Sequence, residues 1–121
     1  MGELLAVLSG KGGTGKTSVC AALACALAEE GKKVLCIDCD VGLRNLDIAL
    51  GLSHYEALSF QDVCAGGYSL EEALAHPDFG TLRFLTAPVS CTAADVDGSS
   101  FQKLLHQARQ SFDYVFLDAP A

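Results

Sequence analysis

A glycine-rich segment near the amino terminus constrains this chain more than any other feature of its sequence. Four glycines and two lysines fall within residues 10–17, which read GKGGTGKT. The segment satisfies the pattern G-x-x-x-x-G-K-[ST]. A short apolar run at residues 4–8 precedes it, and residues 16–30, rich in Ala and Leu, follow it. We therefore expect a buried strand, a tight loop and a helix in direct succession.

This arrangement is the one that holds a polyphosphate. Backbone N–H groups must point inward at the phosphate oxygens, and glycine permits the tight turns without a Cβ clash. The start of the following helix adds unpaired N–H groups and a positive dipole end. Lys16 would supply a full charge to the phosphates, and Thr17 a hydroxyl to magnesium. The predicted nucleotide-binding residues are Gly10, Lys11, Gly12, Gly13, Thr14, Gly15, Lys16, Thr17 and Ser18.

Strands and helices are predicted to alternate along the chain. We expect strands at 4–8, 34–38, 82–86 and 114–117, and helices at 16–30, 44–50, 59–65, 69–76 and 97–111. Gly31 and Gly51 are suited to end the first two helices. The apolar face of the last helix comprises Phe101, Leu104, Leu105 and Ala108. This alternation predicts an α/β fold, a parallel sheet with helices on both faces, in which ligands bind at the carboxyl ends of the strands.

Two aspartates are expected at that edge of the sheet. Asp38 and Asp118 end the second and the fourth predicted strands. A carboxylate at this place can hold a magnesium-bound water or the Thr17 hydroxyl, although aspartate also ends strands for purely structural reasons. The predicted metal-binding residues are Thr17, Asp38 and Asp118.

Composition and charge narrow the range of partners. The net charge is −7, which argues against nucleic acid or an anionic membrane as a partner of this segment, because both select Lys and Arg. The start of the chain lacks the features of a signal peptide, and the apolar run 19–28 is too short to span a membrane. We expect a soluble, cytoplasmic protein.

Cysteine and histidine do not predict a metal or redox site. Six cysteines are present, and Cys36 and Cys39 form a C-x-x-C. They lie on the second predicted strand, where residues three apart point to opposite faces, so we expect small core residues. His54, His76 and His106 lack metal-ligand spacing and are expected at the surface or as hydrogen-bonded core residues.

Lys11, a second lysine inside the loop, resembles the early lysine of the deviant Walker A ATPases, the MinD/ParA family of P-loop ATPases. Residues 37–47, IDCDVGLRNLD, are similar to the D-x-D-x-G-L-R-N-L-D segment of the family members that act in division-site placement. Residues 114–121, YVFLDAPA, are similar to the family's D-[SA]-P-A-G switch. The resemblance spans essentially the whole chain and is less specific over residues 53–112.

The resemblance implies a function and a set of roles. The chain would be an ATP-binding, magnesium-dependent ATPase with catalytic residues Lys11, Lys16 and Asp40. Lys11 would reach the nucleotide of a partner subunit in a homodimer, Asp40 would orient the attacking water, and Asp118 would be the Walker B residue. Expected partners are ATP and ADP, and division-inhibitor and activator proteins. Membrane contact would occur only through a carboxyl-terminal helix beyond these residues.

By the same resemblance, residues 1–121 would be the amino-terminal part of a single P-loop ATPase domain, truncated after the Walker B strand. Alone, this part is expected to turn over little or no ATP. Residues 3–8 would form an exposed apolar edge strand. The alternatives are a ParA-like partitioning or flagellar-number ATPase, a nucleotide-binding module without turnover, and a kinase or synthetase. Lys11 and the GLRNLD segment argue against the kinase or synthetase.

Overall fold

The computed structural model describes residues 2–9, 14–39, 46–52, 54–87 and 98–120, without the side chains of residues 7–9, 14–18, 47, 119 and 120. The strands are β1 (Glu3–Ser9), β2 (Val34–Asp38), β3 (Leu74–Ala75), β4 (Leu82–Leu85) and β5 (Tyr114–Pro120). The helices are α1 (Thr14–Glu29), α2 (Leu46–Ala49), α3 (Phe60–Cys64) and α4 (Gly98–Ser111), with a 3-10 turn at Leu70–Glu72.

The described strands form one sheet in the order β1-β5-β2-β4-β3. β1, β5, β2 and β4 are mutually parallel, and β3 runs antiparallel to β4. The predicted α/β class is therefore confirmed, with one short antiparallel strand added at an edge. β1 lies at the other edge, as expected, and Leu4 and Leu5 are 36% and 38% exposed.

Helices cover both faces of this sheet, because neighbouring residues on the central strands point to opposite sides. On one face, Val34 and Cys36 of β2 pack in a core with α1. On the other, Leu35 and Ile37 pack in a core with α3 and α4. We call these the α1-side core and the α4-side core. The predicted apolar face of α4 lies in the second of them, which contains Phe101, Leu104, Leu105 and Ala108.

Local sequence signals account for most element ends. The backbone of Gly31 (φ 89°), after α1, and of Gly51 (φ 76°), after α2, is left-handed, the conformation that glycine adopts without strain. Ser59 caps α3: its Oγ accepts from the Asp62 N–H at 3.1 Å, while the Asp62 carboxylate accepts from the Ser59 N–H at 2.9 Å. This reciprocal pair fixes the start of α3.

The predicted helix at 69–76 is wrong. Only one 3-10 turn forms there, and the chain then enters β3, where Leu74 pairs with Phe84 and Ala75 with Arg83. The guanidinium of Arg83 donates to the carbonyls of Glu71 and Ala73 at 2.9 and 3.1 Å. A longer helix would use the Glu71 carbonyl for the Ala75 N–H, whereas here it accepts from Arg83 and Ala75 pairs with β4, so tertiary pairing overrides the helical spacing.

Candidate functional site

The two predicted strand-end aspartates lie side by side. β2 and β5 are neighbours in the sheet, and their parallel register pairs Asp38 with Asp118. Asp38 is 0% and Asp118 3% exposed. β5 extends two residues past Asp118 along β1, so Asp118 ends the pairing with β2 but not the strand itself. The sequence prediction that it ends the strand is corrected accordingly.

Strand alternation directs both carboxylates to the face covered by α1. Cys36, two residues before Asp38, and Phe116, two residues before Asp118, both belong to the α1-side core. Side chains two apart on a strand share a face. The pair therefore lies at the carboxyl edge of the sheet, on the side of the helix that follows the glycine-rich loop.

The glycine-rich segment joins β1 to α1, as predicted. β1 ends at Ser9 and α1 begins at Thr14. The predicted residues Gly10, Lys11, Gly12 and Gly13 lie outside the described part of the chain, and so does Asp40. Thr14, Gly15, Lys16, Thr17 and Ser18 form the first turns of α1, and only their backbone is described. A helix start leaves its first four N–H groups without intrahelical partners, and those of Thr14, Gly15 and Lys16 are among them.

The charges of the aspartate pair act on two neighbouring thiols. Burial raises the pKa of Cys20, on α1, from 9.0 to about 12, and the negative charges of Asp118 and Asp38 add to this effect. Burial likewise raises the pKa of Cys39 to about 12, with Asp38 and Asp118 contributing. Both thiols are therefore protonated and unreactive near neutral pH. The raised pKa values of both thiols reflect burial and negative charge around Asp38 and Asp118.

Thiol labelling provides a direct test of this electrostatic description. Cys39 is only partly buried, so its reaction with a maleimide is expected to be limited by protonation. With a pKa of about 12, its thiolate fraction at pH 8 is roughly a thousandfold below that of a thiol with the ordinary value of 9, and its labelling rate should rise about tenfold per pH unit up to pH 10. Peptide mapping by mass spectrometry reads this out. A rate at Cys39 that levels off below pH 9 would contradict the description.

Backbone contacts tie the aspartate pair to its surroundings in a way that the sequence did not indicate. The Asp118 carbonyl accepts from the Cys39 N–H at 2.9 Å. Oδ2 of Asp38 accepts from the Leu46 N–H at 3.4 Å, which links β2 to α2. Neither partner carries a sequence signal, since each acts through its main chain.

The donor set suits magnesium better than a metal held entirely by protein side chains. Among the residues that the structure describes, no three His, Cys, Asp or Glu side chains form a metal-binding group. Magnesium is usually held by one or two carboxylates together with substrate phosphates and waters. The buried pair Asp38 and Asp118, beside the start of α1, fits that mode.

The remaining cysteine and histidine predictions are confirmed where the structure describes them. Cys36 packs in the α1-side core and Cys39 against the α4-side core, so their thiols diverge. His54 and His106 are exposed. His76 is buried, its Nε2 lies 2.9 Å from the Leu50 carbonyl, and its Nδ1 accepts from the Asp78 N–H. It is a satisfied core histidine.

A second concave region lies at the amino ends of β1, β2 and β5, at the opposite end of the strands from Asp38 and Asp118. A cavity of about 460 Å³ there is lined by residues that include Glu3, Lys33, Arg109 and Asp113. Arg109 is already engaged, since its Nε donates to the Gly2 carbonyl at 3.0 Å. Its charged lining residues are Lys32, Lys33 and Arg109 together with Glu3 and Asp113, so carboxylates accompany the basic groups and the cavity is not a purely basic site for phosphate.

Sheet, glycine-rich turn and acidic pair together define a class of protein: the P-loop type of nucleotide-binding domain. Residues 5–117 match the family described as the CobQ/CobB/MinD/ParA nucleotide binding domain. The chain belongs to this family, which confirms the resemblance found in its motifs.

Several of the proteins similar to this chain are septum site-determining proteins. The MinD protein of Thermotoga maritima is 41% identical over 100% of this chain and 45% of its own length. MinD in the MinC:MinD cell division protein complex of Aquifex aeolicus has a TM-score of 0.82 at 36% identity, over 98% of this chain and 48% of that one. MinD of Pyrococcus horikoshii, complexed with Mg-ADP, has a TM-score of 0.74 at 32% identity, over 100% and 50%.

The match covers only part of each relative. The chain spans less than half the length of the curated relative from Thermotoga maritima. Among the helices that the structure describes, none has the length and apolar character needed to cross a bilayer.

Proposed function

We propose that this chain is the nucleotide-binding part of an ATPase that binds ATP with magnesium and serves in division-site placement, as its MinD relatives are named for doing. The single observation that carries the proposal is the buried, register-paired Asp38 and Asp118 on the α1 side of the sheet. Two neighbouring carboxylates are a donor set that can hold magnesium together with phosphate oxygens and water.

The proposed site combines this pair with the glycine-rich loop. Residues 10–15 cradle the phosphates, Lys16 neutralises them, and Thr17 and Ser18 contribute from the first turn of α1. Thr17, Asp38 and Asp118 hold magnesium, directly or through bound water. When bound, magnesium supplies charge stabilisation for phosphoryl transfer.

Turnover is proposed to need groups that binding does not. Asp40 orients the attacking water, and Lys11 contacts the nucleotide of a second subunit, as the family resemblance implies. The proposed state in turnover is a homodimer, and the proposed protein partners are of the division-inhibitor and activator kind; one structural relative is a MinC:MinD complex. The proposed location is the cytoplasm.

A second candidate function is nucleotide binding without turnover. It is favoured by the limited match, since this chain spans 45% of the Thermotoga relative, and catalysis in the family draws on two subunits. ParA-like partitioning is less favoured, because curated relatives at 38–41% identity are septum site-determining proteins.

Calorimetry and a phosphate-release assay on this chain test the proposal. We expect micromolar or weaker ATP binding that needs magnesium, with little preference over GTP, because the proposed site consists of phosphate and metal contacts. The rate of phosphate release from ATP should be near background for this chain alone. Binding of equal strength with and without magnesium would exclude the proposed roles of Asp38 and Asp118.

The Lys11→Ala variant separates the two candidate functions. If Lys11 acts in trans, the variant, made in a protein of the full length of the relatives, should bind ATP like the unmodified protein but lose ATP-dependent dimerisation, measured by analytical ultracentrifugation. Lys32→Ala is the matched control, since Lys32 is an exposed lysine after the carboxyl end of α1. A Lys11→Ala protein that dimerises with ATP as the control does would show that this lysine has no role between subunits.

A further inference from the structure

The carboxylate of Asp38 reaches beyond the sheet to the next helix in the chain. Its Oδ2 accepts a hydrogen bond from the backbone N–H of Leu46, at a distance of 3.4 Å. Leu46 is the first residue of α2, where N–H groups lack a partner within the helix. Asp38 and Leu46 are both 0% exposed, so water does not compete for this bond. Asp38 therefore fastens the start of α2 to the end of β2.

The far end of this element is held by different contacts. Leu50 and Leu52 pack in the α1-side core, which also contains Leu46. The carbonyl of Leu50 lies 2.9 Å from Nε2 of the buried His76. α2 thus has one end attached to the acidic pair and the other anchored in the core.

The surface of α2 faces solvent close to the proposed nucleotide site. Ile48, in the middle of the helix, is 65% exposed. α2 also packs against α1, the helix that begins at the glycine-rich loop. A change in the position of α2 therefore alters the protein surface at Ile48.

We propose that Asp38 is a positioning residue that couples the magnesium-nucleotide site to α2 through the Leu46 amide. The proposal rests on the function proposed above and adds to it. A carboxylate has about four lone-pair sites on two oxygens, so it can hold this amide and a magnesium-bound water at the same time. When magnesium and nucleotide are bound, the Asp38 carboxylate is restricted to one orientation. Its hydrogen bond to the Leu46 amide is then stronger, so α2 is held more firmly.

Hydrogen exchange at the Leu46 amide, read by NMR or by mass spectrometry of peptides that begin at least two residues before Leu46, measures the strength of this hydrogen bond. In the unmodified chain, magnesium and ADP should slow exchange at Leu46 several-fold. The Ala65 amide, bonded to the Gln61 carbonyl at 2.9 Å in α3, is the internal reference and should not change.

Three variants separate the two roles of the carboxylate. Asp38→Ala removes the acceptor, and exchange at Leu46 without ligand should rise about tenfold, as expected for loss of a hydrogen bond to a charged group. Asp38→Asn keeps an acceptor oxygen, so exchange without ligand should stay within about threefold of the unmodified chain, while the response to magnesium and ADP is lost. Asp118→Asn should weaken magnesium binding but leave the ligand-free exchange at Leu46 unchanged.

The outcomes are distinguishable from failure of the proposed function. Calorimetry on the same samples reports whether the chain binds magnesium with ADP at all; no binding would overturn the proposed function. If the chain binds the ligand but exchange at Leu46 does not respond, the coupling is wrong and the function stands. Equal ligand-free exchange in Asp38→Ala and the unmodified chain would show that Asp38 does not hold α2.

Discussion

Replacing Lys16 by alanine is expected to lower the affinity for ATP about a hundredfold or more, close to the limit of calorimetric detection. Lys16 is proposed to contribute a full positive charge to the phosphates, and charge-assisted contacts of this kind are worth about 3 kcal/mol when they face a polyanion. Lys16 lies in the third position of α1, where alanine is the most favourable helix residue. The fold should therefore survive the change.

Lys33→Ala is the matched control for this experiment. It removes the same charge from an exposed position directly before the amino end of β2, whereas Asp38 lies at the carboxyl end of that strand. Far-ultraviolet circular dichroism and thermal unfolding verify that both variants are folded. An Lys16→Ala protein that is folded and binds ATP within threefold of the control would refute the proposed phosphate loop.

Replacing Asp118 by asparagine is expected to remove most of the effect of magnesium on nucleotide affinity. We expect the ratio of dissociation constants without and with magnesium to fall at least tenfold, since one of two proposed carboxylates loses its charge. The free energy of unfolding without ligand is expected to change by less than about 1 kcal/mol, because asparagine keeps the size of the side chain and one acceptor oxygen.

This combination separates a functional aspartate from a structural one. A structural strand-end aspartate would give the reverse result, with stability lost and the magnesium effect kept. Glu29→Gln is the control, because it neutralises an exposed carboxylate at the far end of α1. Chemical denaturation without ligand and calorimetry with and without magnesium provide both measurements.

The sequence alone predicted the features that rest on local or periodic signals. The strand at 34–38 was placed at its true bounds, because four apolar residues in a row, followed by an aspartate, are typical of a buried parallel strand. The first helix was predicted at 16–30 and runs from Thr14 to Glu29. The turns at Gly31 and Gly51 were likewise indicated by residue type.

The candidate site was predicted in part for a similar reason. The glycine-rich loop is contiguous in sequence, so its pattern can be recognised without a fold. Asp38 and Asp118 were placed at one edge because parallel strands share their carboxyl ends. That they are direct neighbours in register follows only from the strand order, in which β5 lies between β1 and β2.

What the sequence determined by itself is the succession of strand, glycine-rich turn and helix, and the chemistry of the residues in it. The tertiary structure decided which segments pair: residues 74–75 joined β4 instead of continuing a helix, and the main chain of Leu46 met the carboxylate of Asp38. The physical reason is the same in both cases. Pairing between backbone groups distant in sequence depends on where the whole chain places them, and a main-chain N–H is identical in nearly every residue.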